Sequence, residues 1–281
     1  MLNSSSETRQ ITGADSSIFA HYLTAWALTP DGNPLRTRSG HLLPVRHRGS
    51  AAMLKVAVKA KERFGGRLMK WWEGQGAARV LAHDGEAILL ERAEGSSSLI
   101  EFACSGRDDE ASRIICRVVA KLHTPRNKPP PELVPLSQWF SELETGANTH
   151  GGILRRSADT ARALLAEPQD IRVLHGDIHH DNILDFGSRG WLVIDPKGLL
   201  GERGFDYANL FCNPDAGVAL APGRLELQVC VVSAAAGLAP QRLLQWILAW
   251  AGLSAVWFLF DGEDPKLQLA IAELAAAKLD R

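Results

Sequence analysis

Hydrophobic positions change their spacing partway along the chain. Two short apolar runs, HLLPVRH (41–47) and SAAMLKVAV (50–58), meet at the turn signal HRGS, which predicts a β-hairpin. KAKERFGGRLMKWWEG (59–74) has helical spacing, weakened by Gly65 and Gly66. ARVLAHDGEAILLERAEG (78–95) predicts two more strands around Asp84-Gly85, a dipeptide favoured in type I′ turns. Beyond it the pattern turns helical. In DDEASRIICRVVAKLH (108–123), Ile114, Ile115, Val118, Val119 and Leu122 share one face, and Pro125 and Pro129–Pro131 end the run. Further helices are expected near 135–145, 153–166, 222–237 and 264–279. The uncharged run Leu243–Phe260 is at the lower edge of bilayer-spanning length. Its stripe of Trp246, Trp250, Leu253 and Trp257, with Pro240 and Asp264 as punctuation, predicts a core helix instead. Residues 173–198 break the helical pattern and read as loop, strand, tight turn and strand. The sum is an α+β chain with a tail at 1–20, a small β-rich lobe at 21–95 and a larger, mostly helical lobe at 96–281. The seam falls near Glu94–Ser98.

Composition narrows the function classes. The formal net charge is −1, so no bulk field draws the chain to nucleic acid or to an anionic membrane. Cys104, Cys116, Cys212 and Cys230 form no C-x-x-C pair and are expected to be buried, reduced thiols of a cytoplasmic protein. The first residues lack the basic and apolar regions of a secretory signal. Oligomeric state is not legible in the sequence.

The chemistry concentrates in HGDIHHDNIL. Asp177 follows a short apolar run, Asn182 stands five residues later, and a strand leads through GSRG into WLVID, which ends at Asp195. That arrangement brings Asp177, Asn182 and Asp195 to one mouth of a hairpin. Phosphoryl transfer needs such a trio: a carboxylate to take the proton of an attacking hydroxyl, and an amide oxygen and a second carboxylate to hold Mg²⁺ against phosphates. Here the chain resembles the aminoglycoside and hydroxyurea phosphotransferases, closest to their streptomycin 6-kinase members. HGDIHHDNIL, WLVIDPKG and GERGFDYANLF carry the resemblance, and SGHLLPVR, AMLKVA, WWEGQGAARVL and GLLGERGFDYAN extend it over residues 22–281. Ile178, Asp181 and Lys197 depart from the usual pattern without removing a catalytic group.

The resemblance implies a protein-kinase-like two-lobe fold, ATP or GTP with Mg²⁺, and a small cationic antibiotic as substrate. It makes Asp177 the catalytic base, and Asn182 and Asp195 the metal ligands. Lys55, inside an apolar strand, would grip the nucleotide phosphates with Glu62 as its partner. The backbone from Glu91 to Ala93 would meet adenine, and Ser39 would lie in the phosphate loop. His175 would brace the catalytic loop, and Asp206 would tie it to a helix start. A substrate with two guanidinium groups and an amine needs an acidic pocket, for which Trp139, Glu142, Glu144, Glu202, Asp215, Asp261, Glu263 and Asp264 are available.

Two other readings compete. His175, Asp177, His179 and His180 resemble a metallohydrolase cluster, but no histidine follows His180. A non-catalytic nucleotide binder would normally lack one of Lys55, Asp177, Asn182 or Asp195. Among kinases, hydroxyurea or another aminoglycoside is the alternative substrate. The literal Asp185-Phe186-Gly187 is expected to be a decoy. Asp185 lies too close to Asn182 for the chain to leave and return, so it is expected near the turn, merely solvated.

Overall fold

A computed structural model describes residues 9–10, 17–37, 40–57 and 63–281. The first lobe holds β1 (Arg9–Gln10), α1 (Ser17–Ala25), β2 (Leu28–Pro30), β3 (Leu35–Arg36), β4 (Gly40–His47), β5 (Ser50–Ala57), α2 (Arg63–Trp72), β6 (Val80–Asp84) and β7 (Ala87–Glu91). Its sheet runs β1-β3-β4-β5-β7-β6, with β2 also on β4, and the described strand pairs in it are antiparallel. Alternation decides which side is covered. Leu43 and Val45 on β4, Ala52, Leu54 and Val56 on β5, and Ala87 and Leu89 on β7 are buried together with Phe19 of α1. α1 begins at Ser17 and seats Phe19 in the core of the first lobe.

The type I′ turn expected at Asp84-Gly85 is found instead at the β4–β5 turn. Arg48 and Gly49, between β4 and β5, both have positive φ, as a type I′ turn requires. At the β6–β7 turn, Asp84 pairs with Ala87, so the loop is Gly85-Glu86, and only Gly85 has positive φ. Asp84 is a strand residue, not the first residue of a type I′ loop.

The second lobe holds α3 (Leu99–Cys104), α4 (Asp108–Leu122), β8 (Val134–Pro135), α5 (Leu136–Trp139), α6 (Ser141–His150), α7 (Gly152–Ala166), β9 (Ile171–Leu174), β10 (Ile183–Asp185), β11 (Trp191–Val193), β12 (Leu199–Glu202), α8 (Ala216–Ala219), α9 (Arg224–Ala236), α10 (Pro240–Phe260) and α11 (Lys266–Leu279). β10 and β11 form the expected hairpin, and β12 lies between β8 and β9. The segment Arg203–Cys212 is a run of 3₁₀ turns. α10 is long and apolar enough to cross a membrane by length and composition, yet most of it is buried in this lobe. Its tryptophan stripe explains why: Trp246 and Trp250 pack edge-on against Phe205, and Trp250 meets Trp257 in the same way. All four cysteines are free, but only Cys116 and Cys212 are buried. Cys104 and Cys230 are exposed, which corrects the expectation for those two.

Gly65 and Gly66, which lower helix propensity, let α2 come close to its neighbours. A methyl group at Gly65 would overlap the carbonyl oxygen of Pro196, and one at Gly66 would lie 2.5 Å from Nε2 of His83. Gly65 therefore sets how near α2 can come to the segment carrying Asp195. Alanine normally improves a helix by up to ~1 kcal/mol over glycine, whereas overpacking costs about 1–3 kcal/mol. Gly65→Ala is expected to lower the urea midpoint of unfolding; a raised midpoint would show that the close approach imposes no constraint.

Candidate active site

The loop that carries Asp177 leaves β9 at Leu174 and is fixed by one buried carboxylate. The backbone N–H groups of His175 and Gly176 donate to Oδ2 and Oδ1 of Asp206 at 2.9 and 2.7 Å. His123 Nε2 lies 2.8 Å from the same Oδ2. Asp206 lies beneath the loop, on the segment Arg203–Cys212. Gly176 has φ +87°, a conformation that glycine adopts at no steric cost. His175 is fully buried and stacks on Trp72. Its Nε2 lies 2.8 Å from the carbonyl of Ile194, and its Nδ1 accepts from the N–H of Asp177 at 3.2 Å. That pattern makes Nε2 the protonated nitrogen, so the ring links the loop to β11's exit as a neutral group. Burial lowers its pKa, against the raising influence of Asp206 and Asp177.

Asp177, Asn182, Asp195 and Lys55 come together at the mouth of the β10–β11 hairpin. Asn182 Nδ2 donates to the carbonyl of Asp177 at 2.8 Å, which fixes the amide and turns its Oδ1 the other way. Ile194 N–H donates to the carbonyl of Asn182 at 2.9 Å, so the strand returns beside it. Asp195 follows with φ +58°, a left-handed conformation that costs an aspartate strain and marks a constrained site. The Lys55 ammonium, on β5, pairs with Asp195 Oδ1, and Lys197 Nζ lies 3.9 Å from Oδ2. Two cations already converge on this carboxylate. With the oriented amide oxygen of Asn182, it is a hard-oxygen donor set suited to Mg²⁺, whose remaining ligands would be phosphates and water.

Asp177 is held on both carboxylate oxygens. Asn209 Nδ2 donates to Oδ1 at 3.0 Å, and Lys197 Nζ lies 3.5 Å from Oδ2. Asn209 is itself oriented: its Oδ1 accepts from Trp250 Nε1 at 3.1 Å and from Asn213 Nδ2 at 3.0 Å. Sequence reasoning missed Asn209. Its only signal was its place three residues after Asp206, on a 3₁₀ segment that winds back to the loop.

The other expected residues are placed as follows. Glu62 and Ser39 lie outside the described residues. The N–H of Glu91 donates to the Arg79 carbonyl, and its side chain pairs with Arg189. Trp139 packs edge-on against Trp257, 5.5 Å between centroids, so it joins the aromatic chain that reaches Trp250. Glu142 and Asp261 are exposed, Glu263 is half-buried, and Glu144 pairs with Arg162. Glu202 is a correction. It is buried at the far end of β12 and accepts from Arg242 and Trp246, bonds that outweigh the effect of burial and hold its carboxyl below the usual range. It supports the packing of α10 rather than a substrate.

The decoy needs a correction too. Asp185 lies at the turn end of the hairpin, away from Asn182, but it is not merely solvated. Its Oδ2 accepts from Ser97 N–H at 3.3 Å, and its carbonyl accepts from Gly95 N–H at 3.0 Å. It ties the hairpin to the connector between lobes. The metallohydrolase cluster does not assemble. His175 is committed to Ile194, His180 is buried with its pKa pushed down to about 3 by burial and by Arg224, and among the described residues no three His, Cys, Asp or Glu side chains group as metal ligands.

A model of the family described as aminoglycoside/hydroxyurea antibiotic resistance kinase matches residues 25–262. Streptomycin 3″-kinase of Klebsiella pneumoniae is 52% identical over 264 residues, covering 91% of this chain and 99% of that protein. Streptomycin 6-kinase of Streptomyces griseus is 32% identical over 202 residues, covering 67% of this chain and 64% of that one. Among solved structures, choline kinase of Streptococcus pneumoniae matches with TM-score 0.64 at 13% identity, covering 95% of this chain and 99% of the other; it has also been solved with AMP. This shared architecture is the protein-kinase-like two-lobe fold.

Asn209→Ala is expected to lower turnover about 10–10²-fold, because a catalytic group displaced by about 1 Å loses rate on that scale. Nucleotide affinity should hold, and unchanged turnover would remove Asn209 from the site. A second expectation concerns acid. The folded pKa of His175 lies below its unfolded value, so its neutral form contributes stability in full above about pH 6.5 and loses it as pH falls below that value. Urea unfolding from pH 7.5 to 5.5 should show an extra loss of stability that grows toward its acid end. His175→Gln should remove that part of the slope.

Proposed function

Since the chain belongs to the aminoglycoside/hydroxyurea antibiotic resistance kinase family, we propose that it is a streptomycin kinase, transferring the γ-phosphate of ATP to the drug's 3″-hydroxyl and so inactivating it. The chain is an aminoglycoside phosphotransferase. The finer reading of substrate and hydroxyl is ours. The sequence resemblance pointed to the 6-hydroxyl; the higher identity and fuller coverage of the 3″-kinase relative favour 3″.

One observation carries the reaction class: Asp177, Asn182, Asp195 and Lys55 converge, with Asp177 anchored by Asn209. In the proposed reaction Asp177 takes the proton of the acceptor hydroxyl as that oxygen attacks the γ-phosphorus. The bond from γ-phosphorus to the β–γ bridging oxygen breaks, and its electron pair leaves on the nucleoside diphosphate. Asn182 and Asp195 would hold Mg²⁺, which supplies positive charge at the phosphates. Lys55 would place the phosphates, and the carbonyl of Glu91 with the backbone of Ala93 would place adenine. On the substrate side, Trp139 at the open end of the Trp250–Trp257–Trp139 chain suits stacking of a guanidinium, with Glu142, Glu144, Asp261 and Glu263 as the acidic groups of that lobe. This reading also puts the protein in the cytoplasm, where nucleotide is supplied.

Purified protein with Mg²⁺ and ATP is expected to phosphorylate streptomycin, and two-dimensional ³¹P–¹H NMR of the product should place the phosphate at 3″. Phosphate at the 6-position would restore the earlier expectation. Turnover of hydroxyurea without turnover of streptomycin would sink the substrate assignment and leave the kinase assignment. Asp195→Asn should abolish turnover, whereas Asp185→Asn, which keeps an acceptor oxygen for Ser97, should leave most of it.

A further inference from the structure

We propose that Lys197 is a catalytic residue whose ammonium contacts the non-bridging oxygens of the phosphoryl group during transfer. This rests on the reading of the site as a phosphotransferase centre. Lys197 Nζ lies 3.5 Å from Oδ2 of Asp177 and 3.9 Å from Oδ2 of Asp195. One carboxylate takes the proton of the incoming hydroxyl. The other would hold the metal on the phosphates. The phosphoryl group must cross between the atoms those two carboxylates serve. A cation within 4 Å of both therefore stands beside its path.

The position is built in. Lys197 N–H donates to the carbonyl of His175 at 2.7 Å, joining the root of the side chain to the catalytic loop. A methyl group added at Gly176 would lie 3.1 Å from Cβ of Lys197, so the loop glycine makes room for the lysine stem. The same Gly176 N–H is fixed by Asp206. The stem is thus held from the loop and from the Asp195 segment together, and the side chain is only 22% exposed. A preorganised cation in such a place needs little reorganisation when charge moves during transfer, and donors of this kind contribute about 10²–10³ in rate. Lys55 comes from the other lobe and meets Asp195 at Oδ1, whereas Lys197 faces Oδ2 of both carboxylates. A merely structural lysine, present to keep two carboxylates from repelling each other, would give the same contacts, so the test must separate the two roles.

Lys197→Met and Lys197→Arg are compared with the parent enzyme in steady-state kinetics, in equilibrium binding of Mg²⁺-nucleotide, and in the rate ratio of ATP to its γ-thio analogue. Lys197→Met is expected to lower kcat by about 10², with nucleotide Kd and thermal midpoint close to the parent. Lys197→Arg should recover about a tenth or more of the parent kcat, since charge matters more than shape for a point contact. The thio ratio should shrink in Lys197→Met, because sulfur in place of a non-bridging oxygen weakens an ammonium contact only where one exists. Parent-like kcat in Lys197→Met would overturn the proposal. So would a loss confined to nucleotide Kd and thermal midpoint with the thio ratio unchanged. If the parent itself phosphorylates no aminoglycoside, the proposed function fails first, and that outcome is distinct because it appears before any variant is made.

Discussion

Asp206 accepts hydrogen bonds from two consecutive backbone N–H groups while completely enclosed, with His123 against the same carboxylate. An enclosed carboxylate is costly unless its lone pairs are filled. The reaction centre follows from how they are filled. Fixing His175 and Gly176 fixes the ring that reaches Ile194 and the glycine that admits Lys197. It also sets the start of the loop that delivers Asp177. The segment carrying Asp206 carries Asn209 one turn later, so the support of the loop and the orientation of Asp177 belong to one short stretch of chain.

That arrangement explains what could be read from sequence. The trio Asp177, Asn182 and Asp195 was legible because a hairpin of two three-residue strands is local, and its length follows from residue spacing. For Lys55, a charge in an apolar strand signalled a partner, but not that Asp195, 140 residues away, would pair with it. Asn209 was not legible. Its bonds run to Asp177 and Trp250, thirty-two residues back and forty-one ahead, and neither period nor composition records a side-chain pair of that separation. Phe19 escaped for a similar reason, since only the sheet that α1 covers gives that short helix its apolar partner. Asp185 was judged from spacing alone, which separated it from the metal position but said nothing of the connector that the turn reaches in space.

The aromatic residues of α10 join packing to recognition. Trp246 fills the core and donates to Glu202, Trp250 orients Asn209, and Trp257 touches Trp139. Along one helix the stripe passes from enclosed packing, through support of Asp177, to a partly open ring. Substitution at its buried end would therefore reach Asp177 before it reached any ligand, and a loss of turnover there is no evidence of substrate contact.

The β10–β11 hairpin is fastened at both ends. At its turn, Arg189 grips Glu91 and the carbonyl of Gly74, and Asp185 holds Gly95 and Ser97 of the connector. At its mouth stand Asn182 and Asp195. Three residues of strand span about 10 Å, so the hairpin works as a gauge block between the connector that would meet a base and the oxygens that would meet a metal. Lengthening or shortening it by a residue pair would change the reach between those two points while leaving every side chain at either end intact.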